Sequence, residues 1–261
     1  MSSKLALLII VFVTISTVGA FAYAGVHSMT DAHEPQRSVE PNAIDAQDEE
    51  FILQAALLAA RGDLKKQLPI LRTLAEVYRS QNRLKEEESC LLKAIGIVHA
   101  LEGSSSVSLG ASYMRLSAIY FAMEDYIRAE LAGKTAVDIF GKSCGMDSIN
   151  LALAYNNLGW IEMKHKNYSA AESHISAALS ILRKTIGRKH LLYGLVSENL
   201  GVLLLQKGEH ANSLKAYKEA LSVLSKKLPA NDPVVIDLNN RCAEVRNLLN
   251  RKTADRHCER L

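Results

Sequence analysis

Apolar positions recur along this chain with a period of 42 residues, separated by polar breaks. Six columns of residues keep one phase through four repeats; the first column is always leucine and the second is always small. These two columns are Leu74, Leu116, Leu158 and Leu200, followed by Ala75, Ser117, Gly159 and Gly201. Because a fixed period of about 20–50 residues is typical of stacked supersecondary elements, the pattern indicates a repeat protein and not a single globular enzyme core.

Within each repeat the apolar spacing is helical. In the third repeat, apolar residues recur at three- and four-residue steps on both sides of a polar break at Lys164–Asn167. Such stripes predict two amphipathic helices, and breaks this short make them antiparallel. No strand alternation of any length occurs. The predicted helices cover residues 68–81, 84–101, 109–123, 126–141, 148–165, 168–185, 191–206 and 210–228.

Two further helices are predicted to cap the ends. One covers residues 48–60, and the other runs from Pro233 to Asn250, with Asp232 suited to the N-cap and Pro233 to the first turn. The small second column marks the place where one helix backbone approaches the next closely. The sequence therefore predicts an all-α solenoid over residues 48–250, with about four antiparallel helix pairs and capping helices.

The third repeat resembles the tetratricopeptide repeat. It reads Tyr155-Asn156-Asn157-Leu158-Gly159, then Asn167-Tyr168-x-x-Ala171-Glu172, then Ala178-Leu179. The period of 42 and the Asn-Leu-Gly starts are similar to the kinesin light chain subtype. The resemblance spans about Leu68 to Asn247 and implies a tetratricopeptide-type α-solenoid. The first repeat departs from it, because Glu87 stands where later repeats have Ala129 and Ala171.

The first 24 residues do not follow the repeat pattern and differ from it in composition. Lys4 precedes an uncharged apolar run at 5–18, and Ala22-Tyr23-Ala24 offers small residues for signal peptidase. Residues 1–24 are therefore predicted to be a signal peptide that is removed before Gly25. The alternative is an uncleaved anchor in the inner membrane, since residues 5–23 are nearly long enough to span a bilayer.

The remaining segments add little chemistry. Residues 25–47 read as a linker and residues 251–261 as a charged tail. The net charge of +3, without a Lys/Arg run longer than two residues, predicts no nucleic-acid partner. Four cysteines share no metal or redox spacing, and no phosphate loop or His-Glu-x-x-His motif occurs. No catalysis, cofactor or metal site is expected.

The resemblance implies a concave groove lined by the first helix of each repeat. Carried onto this chain, the candidate partner-binding residues are Arg72, Arg115, Asn156, Asn157, Trp160, Lys164, Asn199 and Gln206. An Asn can donate to and accept from the backbone of an extended peptide, and a groove indole is a typical anchor, although Trp160 could equally be a packing residue. The family's carboxylate clamp is missing, so acidic chaperone tails are not expected partners.

These observations predict a non-catalytic scaffold or adaptor that binds a protein or peptide segment in its groove. The predicted location is the periplasm or the secreted space, with contact to a membrane only through an uncleaved N-terminal segment. The alternative function is that of a non-catalytic subunit, which docks on an envelope enzyme complex through its convex face or its caps.

Overall fold

The computed structural model describes residues 46–258, so the predicted signal peptide and nearly all of the predicted linker lie outside the described residues. This part of the chain forms ten helices and contains no β-strand. The helices are α1 (Ala46–Ala59), α2 (Leu64–Ser80), α3 (Leu84–Glu102), α4 (Val107–Ala122), α5 (Tyr126–Cys144), α6 (Ile149–Lys164), α7 (Tyr168–Thr185), α8 (Leu191–Gln206), α9 (His210–Leu224) and α10 (Pro233–Cys258). The predicted all-α fold of helix pairs is confirmed.

The two ends of the repeat array differ from the predicted boundaries. Helix α2 begins four residues early, at Leu64, because the side chain of Asp63 caps it by accepting from the Lys66 backbone N–H at 3.1 Å. The polar first turn of α2 carries no apolar stripe, which is why the pattern placed the start at residue 68. Helix α10 continues past Asn250 to Cys258.

Each helix pair is closed by the same three-residue turn. The middle residue has a left-handed backbone in all four turns: Asn82, Glu124, Lys166 and Gly208, with φ of 57°, 61°, 60° and 78°. The N–H of the next residue then donates to a carbonyl five residues earlier, at 2.8–2.9 Å. This is the Schellman arrangement, which satisfies the last carbonyls of the first helix. Asn250 holds the same register position in α10, where the helix runs on instead of turning.

The described chain divides into two compact units between Ile139 and Phe140. The first unit holds α1 to α4 and most of α5, and the second holds α6 to α10. Neighbouring helices are antiparallel: in the second unit Gly201, late in α8, lies against Tyr217, while Gly194, early in α8, lies against Leu224, later in α9.

Packing follows the repeated columns. Leu74, Leu116 and Leu158 are buried as predicted, whereas Leu200 is only partly buried. Among the described residues one helix, α10, follows the last pair, and Leu200 is less covered there than its equivalents. Tyr217, Ala220, Leu224, Leu238, Cys242 and Val245 form the core between α9 and α10. Since Cys242 and Val245 stand 42 residues after Leu200 and Leu203, α10 continues the series of first helices.

Candidate partner-binding face

The predicted binding residues separate into three groups in the structure. Arg72, Lys164 and Gln206 are exposed, and Trp160 is half-buried. Asn156, Asn157 and Asn199 are buried. Arg115 is largely covered and engaged in ion pairs. The first group is available to a partner, whereas the other two serve the packing of the fold in this conformation.

Two register positions on α6 and α8 bring the exposed residues of the second unit together. Trp160 and Val202 are equivalent positions 42 residues apart, and both are partly buried. Lys164 and Gln206 are the equivalent pair one helical turn further on, and both are exposed. We call these four residues the α6–α8 face. It combines an apolar strip with a cation and an amide at one end.

A buried layer of asparagines lies on the same two helices. The Asn199 Nδ2 atom donates to Asn156 Oδ1 at 2.8 Å and so links α8 to α6. Within residues 46–258 neither side-chain polar atom of Asn157 has a hydrogen-bond partner, although its side chain is only 1% exposed. An unsatisfied buried amide costs roughly 1–3 kcal/mol. The predicted contact of Asn157 and Asn199 with a peptide backbone stays a prediction, and it needs these side chains to reach the surface.

A polar contact that the 42-residue period does not predict repeats with an offset of 43 residues. Asn199 contacts Asn156, and Arg241 approaches Glu198, with 4.0 Å between Nε and Oε1. Arg241 also donates to Asp237 at 2.5 Å. Burial raises the pKa of Glu198 to about 7, although the neighbouring Arg241 acts in the opposite direction. The sequence does contain a signal for these contacts. In each case a polar residue in one repeat is followed, 43 residues later, by a polar residue in the next repeat.

The raised pKa of Glu198 predicts a pH-dependent stability. A carboxyl with a folded-state pKa near 7 and an ordinary value of 4.5 contributes stability that is complete below pH 4.5 and is lost as the pH rises through 7. The variant Glu198→Gln should remove this slope and gain on the order of 1 kcal/mol above pH 7, because the amide remains partly desolvated. Urea unfolding at pH 5 and pH 8 measures the free energy of unfolding of both proteins. If its change between the two pH values is the same in the variant, Glu198 is excluded as the source of the pH dependence.

Arg115 belongs to an ionic cluster in the first unit. Its guanidinium donates to Glu87 Oε1 from Nη2 at 2.9 Å and from Nε at 3.1 Å, and it also binds Glu76. Arg79 binds the other oxygen of Glu76. Burial raises the pKa of Glu87 and lowers that of Arg79. Arg115 was predicted to bind a partner, and in the structure its side chain already neutralises the buried carboxylate of Glu87.

The comparisons with known proteins agree with this architecture. The tetratricopeptide repeat family model matches residues 108–184 and, in an overlapping second placement, residues 150–226. Residues 108–226 are therefore built of tetratricopeptide repeats, as the sequence predicted, and proteins with these repeats are generally non-catalytic interaction scaffolds with protein partners. No curated protein matches the sequence.

Several solved structures share the fold at low sequence identity. BtubC (BKLC) from P. vanneervenii aligns with a TM-score of 0.62 at 18% identity, covering 82% of this chain and 91% of that one. A kinesin light chain candidate from Podosopora anserina with nearly identical TPR-like repeats gives 0.61 at 16%, covering 73% and 90%. MamA gives 0.52 at 18%, covering 69% and 91%. At these identities the likeness concerns the fold alone. Among residues 46–258, no helix is both long and apolar enough to cross a membrane.

Proposed function

We propose that this protein is a non-catalytic scaffold that binds an extended segment of a protein partner on the α6–α8 face. The observation that carries the proposal is a half-buried Trp160 beside the exposed Lys164, with Val202 and Gln206 repeating the arrangement on the next first helix. Indole rings at the centre of an interface supply large contact areas at a low entropic cost. The equivalent spacing suits a ligand that runs across successive first helices.

The chemistry of the face defines the segment that it fits. Trp160 and Val202 would cover apolar side chains, and the Lys164 ammonium would donate to a carboxylate or a backbone carbonyl. The Gln206 amide can both donate to and accept from a peptide backbone. Beneath the face, the hydrogen bond from Asn199 to Asn156 holds α8 against α6, so the face is preorganised and less entropy is lost on binding.

Replacing Trp160 with alanine should weaken partner binding by roughly 2 kcal/mol, which is about thirtyfold in affinity. The full chain would first select peptides from a random display library, and the selected peptides would then be titrated. Trp160 is the only tryptophan in the sequence, so a shift in its fluorescence reports binding at this face directly. Calorimetry measures the affinity of the variant, which lacks this signal.

The matched control lies on a second helix. Glu172→Lys would break an ion pair, because Glu172 accepts from Lys207 at 2.6 Å. Ser173→Lys is the better control, since Ser173 is exposed on the same helix. We expect Ser173→Lys to bind normally. Peptides that bind the wild type and Trp160→Ala equally well would contradict the proposed face.

A second candidate function has its own observation. On α5, Ile127 and Leu131 are 77% and 68% exposed, whereas the equivalent pairs in the other repeats are Lys85 and Ser89, Ser169 and Ser173, and Ala211 and Lys215. Apolar residues at positions that are otherwise mostly polar indicate a contact surface. This surface favours a subunit that docks on an envelope complex through its second helices. Loss of binding in Ile127→Ser/Leu131→Ser, with normal binding in Trp160→Ala, would select this function.

The scaffold is proposed to act in the periplasm or the secreted space, after removal of residues 1–24. The supporting observation is the apolar run at 5–18 followed by the small residues of Ala22-Tyr23-Ala24. Purified protein from an envelope fraction should therefore begin at Gly25 in N-terminal sequencing. Recovery of the intact N-terminus from membranes would instead indicate the inner-membrane anchor.

A further inference from the structure

Helix α10 extends the α6–α8 face by one more first helix. The Asn199 side chain joins α8 to α6 by its hydrogen bond with Asn156, which stands 43 residues earlier. Arg241 approaches Glu198, also 43 residues earlier, and so joins α10 to α8. Because equal offsets place successive helices in the same register, α10 stacks on α8 as α8 stacks on α6. All three helices belong to the second unit and present one continuous surface.

Two register positions on this surface change from apolar to acidic at α10. In the order α6, α8 and α10 they are Leu153, Leu195 and Asp237 and, two turns later, Trp160, Val202 and Glu244. Residues seven apart lie on the same side of a helix, so both carboxylates stand on the side of α10 that continues the face. A terminal helix needs a polar surface to remain soluble, but that need does not select the sign of the charge. The exposed cation Arg246 lies about 200° around the helix from Glu244.

The charges that remain for a partner are opposite at the two ends of this surface. Asp237 already accepts a hydrogen bond from Arg241 at 2.5 Å. Glu244 is exposed on α10, and Lys164 is exposed on α6. In the part of the chain that the structure describes, neither of these two residues forms an ion pair. The surface therefore runs from a cation on α6, across an apolar strip, to a carboxylate on α10.

We propose that the segment bound on the α6–α8 face carries an acidic residue at one end and a lysine or arginine at the other, with apolar side chains between them. The acidic residue pairs with Lys164 and the basic residue pairs with Glu244. This inference rests on the proposed function and adds the charge order of the partner. Neighbouring packed helices lie about 8–10 Å apart, so about 16–20 Å separate α6 from α10. At roughly 3.3 Å per extended residue, the two charges of the segment should stand about five or six positions apart.

The two ends of the face serve to select the partner more than to hold it. Trp160 and Val202 offer contact area to any apolar side chain, whatever charges flank it. Exposed ion pairs add little affinity, but a segment with the reversed charge order would place like charges together at both ends. The face is therefore expected to discriminate between segments of equal hydrophobicity by the order of their charges.

The peptides selected on the full chain from the random display library are the probe. We expect them to carry an acidic and a basic residue about five or six positions apart, with apolar residues between. Glu244→Gln should weaken their binding about threefold, on the scale of one exposed ion pair. Ala211→Lys is the matched control, since it changes the net charge by the same amount at an exposed position of α9 where the first repeat has Lys85. The control should bind the peptides normally.

Exchanging the charges between chain and peptide supplies a second readout. A selected peptide whose basic residue is replaced by glutamate should bind the wild type about tenfold more weakly, since an attraction is lost and a repulsion of similar size replaces it. Glu244→Lys should bind this peptide more tightly than the wild type does, and Ala211→Lys should not.

The outcomes separate this inference from the proposed function. Selected peptides that shift the Trp160 fluorescence but share no charge order, or equal effects of Glu244→Gln and Ala211→Lys, would overturn the charge order and leave the proposed face standing. If Trp160→Ala binds every selected peptide as the wild type does, the proposed face fails and this inference fails with it.

Discussion

Replacing Arg115 with methionine is expected to lower the free energy of unfolding by about 3–5 kcal/mol at neutral pH. Glu87 is 2% exposed, and the Arg115 guanidinium is the group that donates hydrogen bonds to its carboxylate. Methionine keeps most of the apolar stem but leaves the carboxylate buried without its hydrogen-bond donor, and Arg79 remains only as a nearby charge. Chemical denaturation measures the loss. Because burial already raises the pKa of Glu87, protonation can relieve the variant, so the loss should shrink at acidic pH.

The repeats themselves provide the matched control. Alanine stands at the equivalent of Glu87 in the second and third repeats, as Ala129 and Ala171, and both are fully buried. The double variant Arg115→Met/Glu87→Ala removes the buried carboxylate together with its partner, so it should recover most of the lost stability. A double variant no more stable than Arg115→Met alone would show that the cost arises from lost packing and not from an unpaired charge.

This cluster illustrates what the sequence could and could not reveal. The 42-residue period and the helical spacing determine the elements, because every repeat must present the same stripe to its neighbours. The exception at Glu87 was visible in the sequence as a departure from the repeat pattern. Its partner was not, because 28 residues separate Arg115 from Glu87 and periodicity gives no side-chain direction. The family resemblance alone suggested Arg115 as a partner-binding residue; that contact stays a prediction, and in the structure Arg115 forms ion pairs with Glu76 and Glu87.

The asparagines show the same limit of prediction from the sequence. Asn157 and Asn199 stand 42 residues apart, so the sequence treats them alike. In the structure Asn199 contacts Asn156 across an offset of 43 residues, while Asn157 has no hydrogen-bond partner among the described residues. The burial of equivalent residues in successive repeats depends on the rotation between stacked helices. That rotation is set by the size of the residues that pack between the helices. Lys164 and Gln206 are exposed on their first helices and Trp160 is partly buried, and their contact with a partner stays a prediction.

Replacing Gly201 with alanine is expected to lower the free energy of unfolding by about 2–3 kcal/mol. A Cβ atom at this position would lie 2.4 Å from Cδ1 of Tyr217, whose ring is fully buried and has no room to retreat. Gly159→Ala should cost less, because its close neighbour is Cγ1 of Ile175, at 2.5 Å, and an aliphatic chain can change rotamer more easily than a packed ring. Thermal and urea unfolding of both variants measure the difference.

The first repeat supplies the compensating change for Gly201→Ala. There the small column holds Ala75, and the position equivalent to Tyr217 holds Leu91. Gly201→Ala/Tyr217→Leu recreates that pair, so the two substitutions should couple favourably by more than about 0.5 kcal/mol in a double-mutant cycle. Gly96→Ala is the control for helix propensity, since a Cβ there contacts nothing within 4 Å and should stabilise the chain slightly. Equal effects of Gly96→Ala and Gly201→Ala would show that α8 and α9 do not need the close approach that the small column predicts.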